Sequence, residues 1–258
     1  MADMKAVKYG SFDMQSGGVT VVETPDLYSA PTNNIQADEL AERDGALVVK
    51  QQYGKKNFTV NGYLRSTTAA GLEVLMDAFK AAIAQKNQPF DIDHAGSIRR
   101  YLGSAVNDII SRSGPSSAGF SVQLLSPDGM GWDTDSSSLI SSTNVSQSAA
   151  TIAFTVGGSY KAEPYIRVTI NTATGVTSKT LTLGNSQTLR TVTITRTWAN
   201  GDVIEMDALK GELLVNGIPT DYRGTLIAFE PGDQGLTWND EFTTRDATVL
   251  ATYTKRWL

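Results

Sequence analysis

Cysteine is absent from this 258-residue chain, and histidine occurs once, as His94. The first absence excludes a disulfide framework, thiolate zinc sites, iron–sulfur clusters and cysteine nucleophiles, and it leaves the redox compartment open. The second means that any Ser-His-Asp triad must use His94, and that no histidine-rich metal site can be built within one chain. Long apolar runs are missing too. No stretch of about 18 apolar residues occurs, so no membrane-spanning helix is expected, and the opening Met1-Ala2-Asp3-Met4-Lys5-Ala6-Val7-Lys8 lacks the apolar core of a signal peptide. The expectation is a chain made and kept in a cytoplasm unless something else exports it. Neither a phosphate-binding loop nor a dinucleotide fingerprint is present, since Gly17-Gly18 and Gly157-Gly158 are isolated pairs with no helix following. An excess of positive charge is also lacking. Lys plus Arg number 22 against 27 Asp plus Glu, and the two halves, divided after Met130, carry 12 basic against 14 acidic and 10 against 13. A chain that is mildly acidic throughout is not built chiefly to grip a phosphate backbone.

What is present suits a globular protein with room for two cores: 40% of residues are hydrophobic and 19% charged. One segment has a clear helical period. Leu72, Leu75, Met76, Phe79 and Ile83 form a single apolar stripe, with Glu73, Asp77, Lys80 and Lys86 on the other faces. Ser66-Thr67-Thr68 offers N-caps and Asn87-Gln88-Pro89 a stop, which predicts one amphipathic helix from about Thr68 to Lys86, packed by its stripe on a sheet.

Elsewhere the period is two. Phe58, Val60 and Leu64 alternate with polar positions, as do Ile152-Phe154-Val156, Ile166-Val168-Ile170, Leu181-Leu183, Val192-Ile194 and Val249-Ala251-Tyr253. Turn residues at Gly157-Gly158, Thr174-Gly175, Gly184-Asn185, Asn200-Gly201-Asp202, Asn216-Gly217 and Pro231-Gly232-Asp233 punctuate these runs, which predicts antiparallel strands and a sandwich or barrel in the second half. Asn61-Gly62 would leave very short arms as a hairpin tip, so Lys56 to Arg65 reads as one strand after a turn at Tyr53-Gly54-Lys55. Between Thr134 and Thr151, ten of eighteen residues are Ser or Thr. That composition has little to bury and predicts a linker over 134–150, between a mixed domain at 1–133 and an all-β domain at 151–258.

Candidates for chemistry are few. Asp91-Ile92-Asp93-His94 puts its two carboxylates on one face of a strand and His94 on the other, so three ligands do not converge, and a solvated strand end is the plainer reading. Asp133 with Asp135, and Asp202 with Glu205 and Asp207, are either acid-base pairs or turn caps on a wet face. All four tryptophans lie in the second half: Trp132, Trp198, Trp238 and Trp257. Aromatics on a β-sandwich either stack on sugar rings or fill the core. The strand registers of Trp198 and Trp257 assign those two to the core, while Trp132 lies outside any predicted strand and is the candidate exposed contact for carbohydrate or a partner protein. No catalytic, cofactor-binding or metal-binding residue is assigned, and no cofactor is expected.

Several stretches together resemble the distal tail proteins of long non-contractile-tailed bacteriophages. They are Arg43-Asp44-Gly45-Ala46 before a strand; the helix running into Pro89 and then Arg100-Tyr101-Leu102-Gly103; and Ser126-Pro127-Asp128 with Gly157-Gly158 and Ala162-Glu163-Pro164-Tyr165-Ile166. The most specific stretch runs from Asn216-Gly217 to Asp221-Tyr222 and on to Glu230-Pro231-Gly232 and Leu236-Thr237-Trp238. The sequence departs from the family at Asp128-Gly129, where a second proline is commoner, and in its long Ser/Thr-rich segment. The resemblance implies a mainly β virion protein: a tail-tube-like first domain that bears the helix and builds the ring, and a galectin-like β-sandwich hung on its outside. It implies a homo-hexamer at the end of the tail tube, touching tail tube protein, tail-tip or baseplate hub proteins and receptor-binding proteins. DNA would be met only in transit, and the chain would reside in the virion tail after assembly in the host cytoplasm. The rival reading is a carbohydrate-binding module for the host surface. A hydrolase ranks third, for want of a convergent acid-base pair.

Overall fold

A computed structural model describes residues 5–39, 44, 46–94 and 96–258. Arg43 and Gly45 of the Arg-Asp-Gly turn, like Met1 to Met4, lie outside the described residues. The chain divides into two compact units, Met1–Thr134 and Asp135–Trp257.

The first unit contains β1 (Lys5–Tyr9), β2 (Phe12–Asp13), β3 (Val19–Glu23), β4 (Asn33–Glu39), β5 (Ala46–Tyr53), β6 (Lys56–Arg65), α1 (Ala69–Ile83), β7 (Gln88–His94), β8 (Ser97–Gly114), β9 (Ser117–Ser126) and the start of β10 (Gly131–Val145). Its strands run β3-β6-β9-β8-β7-β1-β2, all antiparallel neighbours. β6 occupies the predicted span, with its even positions buried: Phe58, Val60 and Leu64 face the core. Asn61-Gly62 makes no turn because the backbone is closely packed there. A Cβ on Gly62 would stand 2.3 Å from the Thr20 carbonyl oxygen and 2.5 Å from the Phe120 ring. β8 is long enough to serve three neighbours, the third being the start of β10 at Arg99 and Arg100. It pairs with β7 up to Gly103 and with β9 from Ser104 onward.

α1 begins where its cap is: the Thr68 hydroxyl accepts the Gly71 amide at 3.1 Å. Leu72, Met76, Phe79 and Ile83 are buried, whereas Leu75 is half-buried at the margin of the same core. Phe79 packs on Phe120 of β9 and Phe12 of β2, with ring centroids 4.6 and 5.7 Å apart. A second aromatic group, Phe58 with Phe90 and Tyr101, fills the core further along β6.

The segment expected to be a linker is instead mostly strand. Trp132 and Asp133 of β10 pair with Arg100 and Arg99, and further along Ile140 and Val145 are buried in the core of the second unit. Serine and threonine tolerate extended backbone, and the two apolar residues give the strand an inner face that the overall composition hides.

The second unit adds β11 (Ala150–Val156), β12 (Tyr165–Thr174), β13 (Lys179–Asn185), β14 (Thr191–Arg196), β15 (Val203–Asp207), β16 (Glu212–Val215), β17 (Ile218–Pro219), β18 (Arg223–Gly224), β19 (Gly232–Asp240) and β20 (Thr244–Trp257). Two antiparallel sheets, β17-β16-β15-β12-β20-β10 and β11-β19-β13-β14-β18, enclose one core. Ile166, Val168, Ile204 and Val249 meet Leu181, Leu183, Ile194 and Trp238 across it, the alternation expected of a sandwich. Asn216 and Gly217, both at positive φ (54° and 73°), make the tight turn between β16 and β17.

Candidate functional site

The residues proposed for chemistry, Asp135 apart, are absorbed by structure. Asp91 is held by a bidentate pair with Arg100 at 2.7 and 2.8 Å, while the Asp93 carboxylate accepts the Gly96 amide and so caps the turn after β7. His94 is buried on the opposite side of the strand. Desolvation, with Arg99 and Lys56 nearby, lowers its pKa to about 4. Asp133 accepts the amide of Thr134, and Asp135 is exposed. Asp202 is buried and bonded to Ala199 and Asn216 in a turn, Glu205 accepts the Tyr165 hydroxyl at 2.5 Å, and Asp207 pairs with Lys210 at 3.0 Å. Burial and then Glu205 push the Tyr165 hydroxyl up to about 12. Among the described residues, no three His, Asp or Glu side chains come together in a way that could hold a metal ion.

The aromatics divide differently from the expectation at two positions, Trp257 and Trp132. Trp198 and Trp238 are buried, their indole N–H groups donating to the Lys179 carbonyl at 3.0 Å and the Asp240 carboxylate at 2.5 Å. Trp257, expected in the core, is half-buried. The alternation of β20 breaks after Tyr253, and Arg256 takes the inward place, paired with Glu163 at 2.8 Å and lying over the Tyr160 ring. Trp132 is half-buried, on β10 rather than outside a strand, with its N–H donating to Asp128 at 3.0 Å.

Two pairs of adjacent basic residues, Lys55-Lys56 and Arg99-Arg100, are the local concentrations of positive charge in the first unit, and most of their members are taken up by the fold. Lys56 is buried over the rings of Phe58 and Tyr101, and desolvation lowers its pKa to about 8. Arg100 is neutralised by Asp91, Arg99 is half-buried, and Lys55 is exposed.

The surface features of the first unit that sequence reasoning missed are apolar ones. β4 and β5 form a two-stranded sheet of their own, pairing Asn33 with Tyr53 through Glu39 with Ala46. Side chains along it are exposed from end to end, among them Ile35, Val48 and Val49 at 57%, 55% and 54%. The sheet made by β3, β6, β9 and β8 presents a shallow groove on its outer face, lined by Val22, Asn61, Tyr63, Ile109, Gly119 and Ser121. The edge of β8 beyond Gly103, on the side away from β9, has no strand on it among the described residues. The run Ala46-Leu47-Val48-Val49 was visible in the sequence, but an apolar run by itself reads as buried strand and gives no sign of exposure.

Residues 157–257 match the model of the siphovirus-type tail component, C-terminal domain. Among solved structures, the Dit (gp 19.1) protein of phage SPP1, described as a paradigm of the hub adsorption apparatus in phages infecting Gram-positive hosts, superposes with a TM-score of 0.69. It shares 14% identity over 99% of this chain and 100% of its own. The baseplate of phage P2 in its activated conformation with Ca gives a TM-score of 0.43 at 7% identity over 93% of this chain and 92% of that one, too distant to carry an argument. No curated protein sequence matches the chain. With a mainly β chain bearing one helix that superposes end to end on a hub protein, the resemblance to distal tail proteins stands on fold as well as motif. The second unit thus matches the C-terminal domain of the siphovirus-type tail components, on a chain that shares the fold of the SPP1 Dit protein.

Proposed function

We propose that the chain is the subunit of a six-membered hub ring joining the tail tube to the baseplate or tail tip. The ring is built mainly by residues before about 130, with a central passage for DNA. The observation that carries this reading is the tail-component domain at 157–257 on a chain whose fold follows a hub protein from end to end. The open edge of β8 and the projecting β4–β5 arm support it, because unpaired edges and exposed apolar strands need a partner, and a head-to-tail contact between identical copies is satisfied when it closes into a ring. The second unit, in this reading a galectin-like sandwich on the outside of the ring, offers its surface to baseplate or receptor-binding proteins. Assembly takes place in the host cytoplasm and the product resides in the virion tail. With Trp198 and Trp238 in the core, the carbohydrate-binding alternative rests on Trp132, half-buried with its N–H on Asp128.

Mass photometry and negative-stain microscopy of the full-length protein test the reading. A particle of six 27.7 kDa subunits with a central hole is expected. A chain that stays monomeric at tens of micromolar, a concentration far above the usual range for stable assemblies, overturns it.

A further inference from the structure

The sheets of the second unit end in very different strands. β17 and β18 each close one end of a sheet with two residues, the first holding Pro219 and the second Arg223. Short length, proline and charge are the usual guards of a sheet edge against pairing with another chain. β11 closes the other end of its sheet with Ala150-Thr151-Ile152-Ala153-Phe154-Thr155-Val156 and has none of these guards. It pairs with β19 at seven consecutive positions without a bulge, and among the described residues no strand lies along its other edge. The lack of charge extends beyond the strand. No Asp, Glu, Lys or Arg occurs in the 25 residues from Ser136 to Tyr160, although 19% of the chain is charged, so this segment offers no repulsion to a neutral strand laid against it.

Alternation along β11 leaves Thr151, Ala153 and Thr155 exposed, while Ile152 and Phe154 pack against the core and remain half-buried. Phe154 stands edge-on to Phe229, with ring centroids 4.8 Å apart. A strand added at this edge removes from water what Ile152 and Phe154 leave exposed. The order of residue types is also palindromic about Ala153: threonine at 151 and 155, a large apolar residue at 152 and 154, a smaller aliphatic one at 150 and 156. In an antiparallel pair centred on Ala153, Thr151 faces Thr155 of a second copy and Ile152 faces its Phe154, so each face of the strand continues into the same face of its partner. Such a strand is complementary to itself, as an isologous contact requires.

We propose that β11 pairs antiparallel with β11 of a second copy about a two-fold axis at Ala153, joining their two five-stranded sheets into one. This contact is distinct from the one that closes a ring. Neighbours in a six-membered ring are related by a sixth of a turn rather than a half-turn, so the β11 pair joins copies from different rings. Seven residues a side fall short of the roughly 20 to 30 of a standard stable interface, and the pairing is accordingly weak and reversible.

The absence of cysteine from the chain makes the contact directly testable. In the pair, the two Ala153 positions stand opposite each other, at roughly the 4.5 to 5.5 Å of facing residues and within reach of a disulfide, whereas the two Thr151 positions are roughly 13 Å apart along the strands. Under mild oxidation, full-length Ala153→Cys should cross-link into a covalent dimer, and Thr151→Cys, also exposed, should not. Equal cross-linking of both, or none in Ala153→Cys, overturns the proposal. Ala153→Lys sets like charges face to face and should weaken self-association through this edge at least tenfold in sedimentation velocity, as should Ala153→Glu, with unchanged circular dichroism. Mixing the two one to one should restore the pairing; variants that associate as the wild type does, or a mixture that stays apart, overturn the proposal. Six-membered rings should survive in Ala153→Lys. Wild-type rings that never pair through β11 overturn this proposal alone, and β11-linked chains that form no ring overturn the ring reading alone.

Discussion

Phe79 leaves no surface to solvent and brings together the helix, β9 and β2 through its contacts with Phe120 and Phe12. Phe79→Ala should therefore cost about 3 to 5 kcal/mol, as large-to-small changes in a packed core do, and urea unfolding would measure it. A smaller loss would mean that the helix is free to settle into the gap. His94 makes a second prediction at this scale. Its pKa is about 4 in the folded chain against 6.5 when unperturbed, chiefly because burial penalises the charged ring. The unfolded chain then binds the proton more readily across that interval. The stabilising preference for neutral His94 is complete above about pH 6.5 and is lost as pH falls toward 4. Carboxylates titrate in part of the same range, so the readout is a difference: melting temperature from pH 7 to 4 should fall more steeply for the wild type than for His94→Gln.

At the scale of elements, β10 shows how composition misleads. Its many Ser and Thr residues predict a solvated linker, but Ile140 is 3% exposed and belongs to the core of the second unit. If the strand is structural, Ile140→Ala should destabilise the chain by about 2 to 5 kcal/mol, while Ser138→Ala, at an exposed position, should be close to silent. Equal and negligible effects in thermal unfolding would restore the linker. The β4–β5 arm is the opposite error. The apolar run Ala46-Leu47-Val48-Val49 does lie in a strand, yet only the register and the lack of a covering layer among the described residues reveal that its apolar face is exposed in the subunit.

For the whole molecule the balance of charge matters more than any single group. Net charge is −5, and of the two basic pairs Lys56 is buried and Arg100 is neutralised by Asp91. Few counterions can be released by a duplex passing such a surface, so binding should be a weak, salt-sensitive background. Fluorescence anisotropy with duplex DNA at physiological salt should give no sub-micromolar affinity, and changing Lys55 and Lys56 or Arg99 and Arg100 to glutamine should leave the background nearly unaltered. A tight interaction abolished by either change would mean that the assembly holds DNA.

The sequence by itself determined the mainly β class, the single helix and its inner stripe, the extent of β6 and most second-half strands, because periods of 3.6 and 2 are imposed by backbone geometry wherever one face is buried. It also determined that Trp198 belongs inside, through its register with Val192 and Ile194. Tertiary structure alone decided the rest. Gly62 sits in a strand despite the turn signal before it, because Thr20 and Phe120 approach too closely for a side chain. Arg256 displaces Trp257 from the inner face because Glu163 and Tyr160 are there to receive a buried cation. The exposed face of the β4–β5 arm was beyond reach of any pattern, since periodicity tells which residues share a face but not whether the chain has anything to put against it.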